Sequence, residues 1–279
     1  MIERDGGNFP ARKIVDTPLG EGSLDDQNLL FGTSYVEPIR ILPEVNVIKV
    51  GGQSFMDRGR SAIFPIVDEI AQLARSYQIL IGAGGGTRAR HAYSIALELG
   101  LPTGVIAAIG ASTALQNARI LQMLFAKHGG IYIDVDDFEK LPLYLRAGCI
   151  PIMPGMPPYR HWEKAPSLGR IPANRTDSGV YLTAEFLGAR SCIYIKDEDG
   201  LYTEDPKKNP KAKLIPRISA QELVEWDLND LVIERVVLQN MMRAAQVREI
   251  QIINGLVAGN LTRALAGEHV GTIITAQRS

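Results

Sequence analysis

The chain is short of several residue types, and each shortage narrows what it can be. Only two of its 279 residues are cysteine, Cys149 and Cys192. Each lies inside an apolar run, so both read as buried core thiols of a reducing cytoplasm rather than as a disulfide. The four histidines, at 91, 128, 161 and 269, lack the spacing of a zinc site. No apolar run reaches the roughly 18 residues needed to span a membrane. No secretory signal is expected at the start, because Asp5, Gly6, Gly7 and Asn8 interrupt any apolar stretch. Charge of one sign is also lacking: 30 Lys and Arg against 31 Asp and Glu leave a net charge of −1. Nucleic acid is therefore not an expected partner, and any anion site must be local.

What remains is ordinary for a soluble globular protein, with 46% hydrophobic and 22% charged residues. Residues 1–44 carry many glycines and prolines with little periodicity and read as an extended N-terminal arm. Residues 45–279 read as one domain. A strand over 45–50 precedes a helix whose face carries Ile63, Ile66, Val67, Ile70, Leu73 and Ala74. A strand over 78–82 precedes a helix with Ala92, Ile95, Ala96 and Leu99, ending near Gly100 and Pro102. Further helices are expected over 111–127, from Thr176 through Leu187, and over 230–247. Strands are expected over 130–135, 149–153, 191–195, 250–253 and 271–275. This alternation predicts an α/β fold, a three-layer αβα sandwich around a mainly parallel sheet of about eight strands.

Three stretches carry chemistry. Val47-Ile48-Lys49-Val50-Gly51-Gly52-Gln53-Ser54 is an apolar strand ending in a lysine and a glycine turn. Such a turn lets the backbone approach an anion, and Lys49 adds a point charge. A plain strand–turn–helix corner is the alternative. Gly84-Gly85-Gly86 occupies the same position after the second strand, and Arg88 and Arg90 follow in the first helical turns. Two cations there oppose the helix dipole, so they suggest an anion at that helix start, or else a surface pair. Lys196, with Asp197, Asp199, Tyr202 and Asp205, forms an acidic turn beyond a strand end, where parallel sheets bind ligands. Its carboxylates suit either Mg²⁺ or solvent. Asp177 is placed to cap the helix it opens. The proline-rich loop 154–175 contains Met156-Pro157-Pro158-Tyr159-Arg160-His161-Trp162, and its length points to a role of its own.

In order along the chain, Lys49-Val50-Gly51-Gly52, Gly84-Gly85-Gly86-Thr87-Arg88, Arg175-Thr176-Asp177-Ser178-Gly179, Asp199-Gly200-Leu201-Tyr202-Thr203-Glu204-Asp205-Pro206 and Gly267-Glu268-His269-Val270-Gly271-Thr272 resemble the amino acid kinase superfamily, especially its uridylate kinase branch. Gly155-Met156-Pro157-Pro158-Tyr159, Val247-Arg248-Glu249 and the tail 254–275 are more similar to the molybdenum-storage subunits of that superfamily, nearest the β type. The resemblance implies an α₃β₃ cage, or a homohexamer, in which such subunits load molybdate or tungstate as oxide clusters with ATP and Mg²⁺. It implies Lys49 and Lys196 as catalytic residues. It implies Gly51, Gly52, Gln53, Gly84, Gly85, Gly86, Arg88, Asp177, Asp199, Tyr202 and Asp205 as further nucleotide contacts. Met156 and His161 become candidate cluster contacts on the inner wall. Gln53, Leu238-Gln239-Asn240 and Arg160-His161-Trp162 depart from the pattern, and a carboxylate is missing at 239. Two alternatives stay open: a uridylate kinase-like phosphotransferase acting on ATP and UMP, and a nucleotide-binding regulatory subunit without turnover.

Overall fold

A computed structural model of the chain describes residues 23–32 and 37–277. Most of the arm expected over 1–44 lies outside them. Two compact units divide the chain, Met1–Ile39 and Arg40–Ser279. In the first, helix α1 (Gln27–Gly32) starts where the Asp26 carboxylate accepts from the N–H groups of Asn28 and Leu29.

The second unit is built on strand β1 (Val45–Val50), all six residues of which are buried. After it come α2 (Arg60–Leu73), β2 (Gln78–Ala83), α3 (Gly86–Glu98), α4 (Thr103–Phe125), β3 (Gly130–Tyr132), α5 (Leu141–Arg146), β4 (Ile150–Pro154), α6 (Thr176–Leu187) and β5 (Ser191–Lys196). The chain then runs through β6 (Leu201–Tyr202), β7 (Leu214–Ile215), β8 (Arg217–Ser219), α7 (Ala220–Trp226), α8 (Arg235–Met241), β9 (Glu249–Asn254), α9 (Asn260–Leu265) and β10 (Thr272–Thr275). Eight strands form one sheet in the order β3-β4-β2-β1-β5-β9-β10-β8, and β6 pairs with β7 apart from it. The pairs from β3 to β9 are parallel; β10 is antiparallel to β9 and parallel to β8. The three-layer sandwich with a mainly parallel sheet is therefore present as expected from the sequence.

Side chains alternate across a strand, so one residue's face fixes that of its neighbours two away. Val45 and Val47 of β1 and Cys192 and Tyr194 of β5 join the core against α6 and α8, with Val180, Tyr181, Ala184, Val237 and Met241. Ile48, Val50, Ile193 and Ile195 join the opposite core against α2 and α4. By the same parity Lys49 and Lys196, at the C-terminal ends of these adjacent strands, lie on the α6 face. Both cysteines are free; Cys192 is buried, as read from the sequence, whereas Cys149 is half-buried.

Several boundaries differ from the sequence reading. Helix α4 begins at Thr103 rather than 111. Its first turns hold Gly104 and Gly110, poor helix formers on propensity, but each faces a close neighbour, backbone at Gly104 and the Tyr93 side chain at Gly110. A Cβ on Gly104 would stand 2.3 Å from the His161 carbonyl oxygen, and one on Gly110 would stand 2.0 Å from the Tyr93 hydroxyl. The helix expected over 230–247 is only Arg235–Met241, because the chain before it stays irregular as far as Glu234. Helix α7 was not anticipated, although Ser219 and Glu222 close a reciprocal cap at its start that Ser-x-x-Glu signals.

The proline loop is pinned to α6 at Gly179, where a Cβ would lie 2.0 Å from the Gly155 carbonyl oxygen and 2.7 Å from Pro157 N. Backbone on the far side cannot swing away as a flexible side chain can. Gly179→Ala is expected to lower stability by about 1–3 kcal/mol through this overlap. Urea unfolding measures it, and an unchanged midpoint would show that the loop gives way freely.

Candidate active site

The C-terminal ends of β1, β2 and β5 and the N-terminus of α6 meet around one buried carboxylate. Asp177 Oδ1 is 2.7 Å from Lys49 Nζ, and its Oδ2 is 3.1 Å from Lys196 Nζ. All three residues are buried. Burial would raise the Asp177 carboxyl, but the charges of Lys196 and Lys49 outweigh it and hold the group well below the usual carboxylate range. Burial pushes Lys196 down to about 8, with Lys49 adding to the shift and Asp177 opposing it. Asp177 thus does not cap α6 with its side chain, as the sequence had suggested. The N-cap residue is Arg175, which makes no side-chain cap.

The cap comes from elsewhere. Glu234 Oε2 accepts from the N–H groups of Arg175 and Ser178, each at 3.0 Å, and Oε1 accepts from that of Asp177 at 2.9 Å. Burial, and then the Asp177 charge, raise the Glu234 carboxyl. Sequence reasoning missed Glu234. It lies 57 residues beyond Asp177, and nothing local marks it as a partner for that helix.

The two glycine turns touch each other. A Cβ on Gly52 would be 2.2 Å from Gly86 N, and one on Gly84 would be 2.6 Å from Gly52 N. Glycine is required here by backbone packing against backbone, and Gly86 also has φ of +72°. Buried Asn117 of α4 donates its amide to the carbonyls of Gly84 and Gly85. Asp57 accepts from the Thr87 N–H at the start of α3, so that helix start already has a carboxylate.

Lys49, Gly51, Gly52, Gln53, Gly84, Gly85, Gly86, Asp177 and Lys196 all line a single cavity of about 300 Å³, together with Arg90, Tyr93, Arg175 and Glu234. Its wall holds several cations and a backbone that approaches closely, which suits a phosphate chain. Burial raises the Tyr93 hydroxyl to about 12, so it stays protonated as a donor. Arg88 does not line this cavity; its guanidinium turns to Gln116 and Asn117 of α4, and Arg90 takes the position expected of it. Tyr202 and Asp205 line a second cavity of about 390 Å³, which shares Gln53 and Arg90 with the first. Asp199 lines neither cavity and accepts from Asn254 at 2.8 Å. Asp197, between Ser54, Arg58 and Lys207, ties the first glycine turn to the acidic turn.

Residues 154–174 of the proline loop line neither of these two cavities, although Arg175 at its end lines the first. Met156 is buried against Ala107, Ala111 and Ala114 of α4 and lines a small cavity of about 40 Å³ with Met153, Pro158 and Arg160. His161 is exposed and lies edge-on to Trp162. Gln239, where the carboxylate is missing, is exposed on α8 and does not line the cavity.

Residues 44–263 match the amino acid kinase family. The chain belongs to that family. Among its relatives, molybdenum storage protein subunit beta of Azotobacter vinelandii is 50% identical over 258 residues, covering 92% of this chain and 96% of that one. A uridylate kinase of Methanobrevibacter smithii is 28% identical, over 81% of this chain and 96% of its own length. The crystal structure of uridylate kinase from Archaeoglobus fulgidus superposes with a TM-score of 0.62 at 26% identity, over 82% of this chain and 99% of that one. The UMP kinase of Bacillus anthracis, at a TM-score of 0.64 and 21% identity over 85% and 98%, shares the fold.

The buried Lys196 in this kinase-family site has a consequence for stability. Its folded pKa of about 8 lies below the 10.5 of an ordinary lysine. Between those values the unfolded chain binds the proton and the folded chain does not, so this group makes stability rise with pH there. Below pH 8 its buried charge opposes folding. The stability of the wild type relative to Lys196→Met is therefore expected to increase by about 1–3 kcal/mol from pH 7.5 to 10. Urea unfolding at both pH values measures it, and a constant difference would rule out the lowered pKa.

Proposed function

We infer that this chain is a β-type subunit of a molybdenum- or tungsten-storing assembly whose kinase-family site binds ATP. The observation that carries the reading is 50% identity along 92% of the chain to a storage subunit, against 28% to a uridylate kinase. That similarity extends well beyond the 44–263 span shared with the whole family. In this reading Lys49, Lys196 and Arg90 hold phosphate oxygens, while the glycine turns bring amide N–H groups close to them. The cavity lined by Tyr202 suits the nucleoside, since it opens from the phosphate cavity at Gln53 and Arg90.

A resident Mg²⁺ fits the residues less well. Among the described residues no three His, Cys, Asp or Glu side chains converge to hold a metal ion, and Asp177 is already shared by two lysines. Mg²⁺ would enter with the phosphate chain, which supplies most of its oxygen ligands. The oxide cluster is cargo, held in an assembly with a homologous second subunit, six chains in all. Of the two candidate loop residues, His161 is the exposed one and Met156 is buried. A protonatable imidazole is a suitable partner for a polyoxoanion.

Two measurements test this reading. Lys49→Ala is expected to weaken ATP binding by roughly 1.5–3 kcal/mol, the scale of a charged hydrogen bond, by titration calorimetry. Unchanged affinity in the folded variant would remove the lysine from the phosphate. Protein purified from cells grown with molybdate is expected to carry molybdenum, with less in His161→Ala and ATP affinity unaltered. Normal metal content in the variant removes His161 from the cargo site, and absence of metal from the wild type removes the storage reading.

A further inference from the structure

The N-terminus of α6 opens into the phosphate cavity, and three of its N–H groups are already engaged by Glu234. A helix start of this kind ordinarily attracts an external anion. Here the anion belongs to the chain. Glu234 is 7% exposed and leads into α8 from an extended conformation, with φ of −65° and ψ of 130°. The segment before it, Leu231 to Ile233, lines the same cavity. The route of the chain therefore delivers a carboxylate to the place where a second phosphate would be welcome.

The cations around it are largely committed. Lys49 and Lys196 share Asp177, and Arg175 Nε lies 3.7 Å from Glu234 Oε1. Arg90 forms no ion pair among the described residues. One phosphate chain can recruit Arg90 and draw on the two lysines. A second anion at α6 would meet the Glu234 carboxylate where it needs amide donors, with like charge close by and little water to screen it.

Building on the ATP-binding reading, we propose that Glu234 is a specificity-determining residue: it occupies the α6 amides and excludes a phosphomonoester acceptor. The cavity then takes a single nucleoside triphosphate and passes no phosphoryl group to a nucleoside monophosphate. The exclusion would rest on a residue in the site itself, independently of overall identity. A carboxylate that served only to cap the helix would alter stability without altering which anions bind.

The test uses the full-length assembled protein. Wild type, Glu234→Gln and Glu234→Ala are titrated with ATP and with UMP, and the wild type is assayed for UDP formed from ATP and UMP. The wild type is expected to bind ATP in preference to UMP and to form no UDP. The ratio of UMP to ATP affinity is expected to rise at least tenfold in Glu234→Gln, which keeps an acceptor oxygen but loses the charge. UDP formation by the wild type overturns the proposal, as does an unchanged ratio in folded variants; the wild-type arm needs no variant to fold. Failure of the wild type to bind ATP would remove the nucleotide reading and this proposal with it. ATP binding accompanied by UDP formation would remove only the role of Glu234.

Discussion

The carboxylate of Asp177 lies between two lysines, and most of the site follows from how that arrangement is kept out of water. A lone ammonium at the end of a central strand would be expelled or neutralised, since burying one charge costs several kcal/mol. Two at the ends of adjacent strands are tolerable only with a counter-charge between them. Helix α6 supplies it from across the layer, and the parity of β1 and β5 directs both lysines toward that helix. The cluster keeps a positive excess at the C-terminal edge of the sheet, and that excess is what a phosphate chain can use.

A second constraint keeps the cavity open on its other side. The glycine turns after β1 and β2 touch at backbone level, so side chains are barred from Gly52 and Gly84 whether or not a ligand is bound. Asn117 then fixes the second turn from α4, and Arg88 in turn contacts Asn117. The arginine next to the glycine run thus holds the frame, while Arg90 one helical step on lines the cavity. Lining the cavity and bracing its frame thus fall to two residues that look equivalent in sequence.

The proline loop illustrates a different division. Its inner residues are fastened by close backbone approaches, Gly179 against Gly155 and Gly104 against His161. Met156 fills space against the alanines of α4, whereas Trp162 and Leu168 remain exposed. Such a loop is fixed at its base and leaves its outer turn exposed.

By itself the sequence determined the layer architecture, most of the strand and helix order, and the turns that carry Lys49, the glycine run and Lys196. Those signals are local: apolar periodicity, glycine after a strand, a lysine at a strand end. Tertiary structure alone decided the roles of Asp177, Arg88 and Glu234. Asp177 looks like a helix cap until two lysines from other strands claim its carboxylate. Arg88 looks like an anion ligand until α4 arrives beside it. Glu234 has no local signature, and its function depends on a helix that begins at Thr176, far back in the chain. Buried charges are matched to partners through space, and their energies depend on burial and distance that only the folded chain creates.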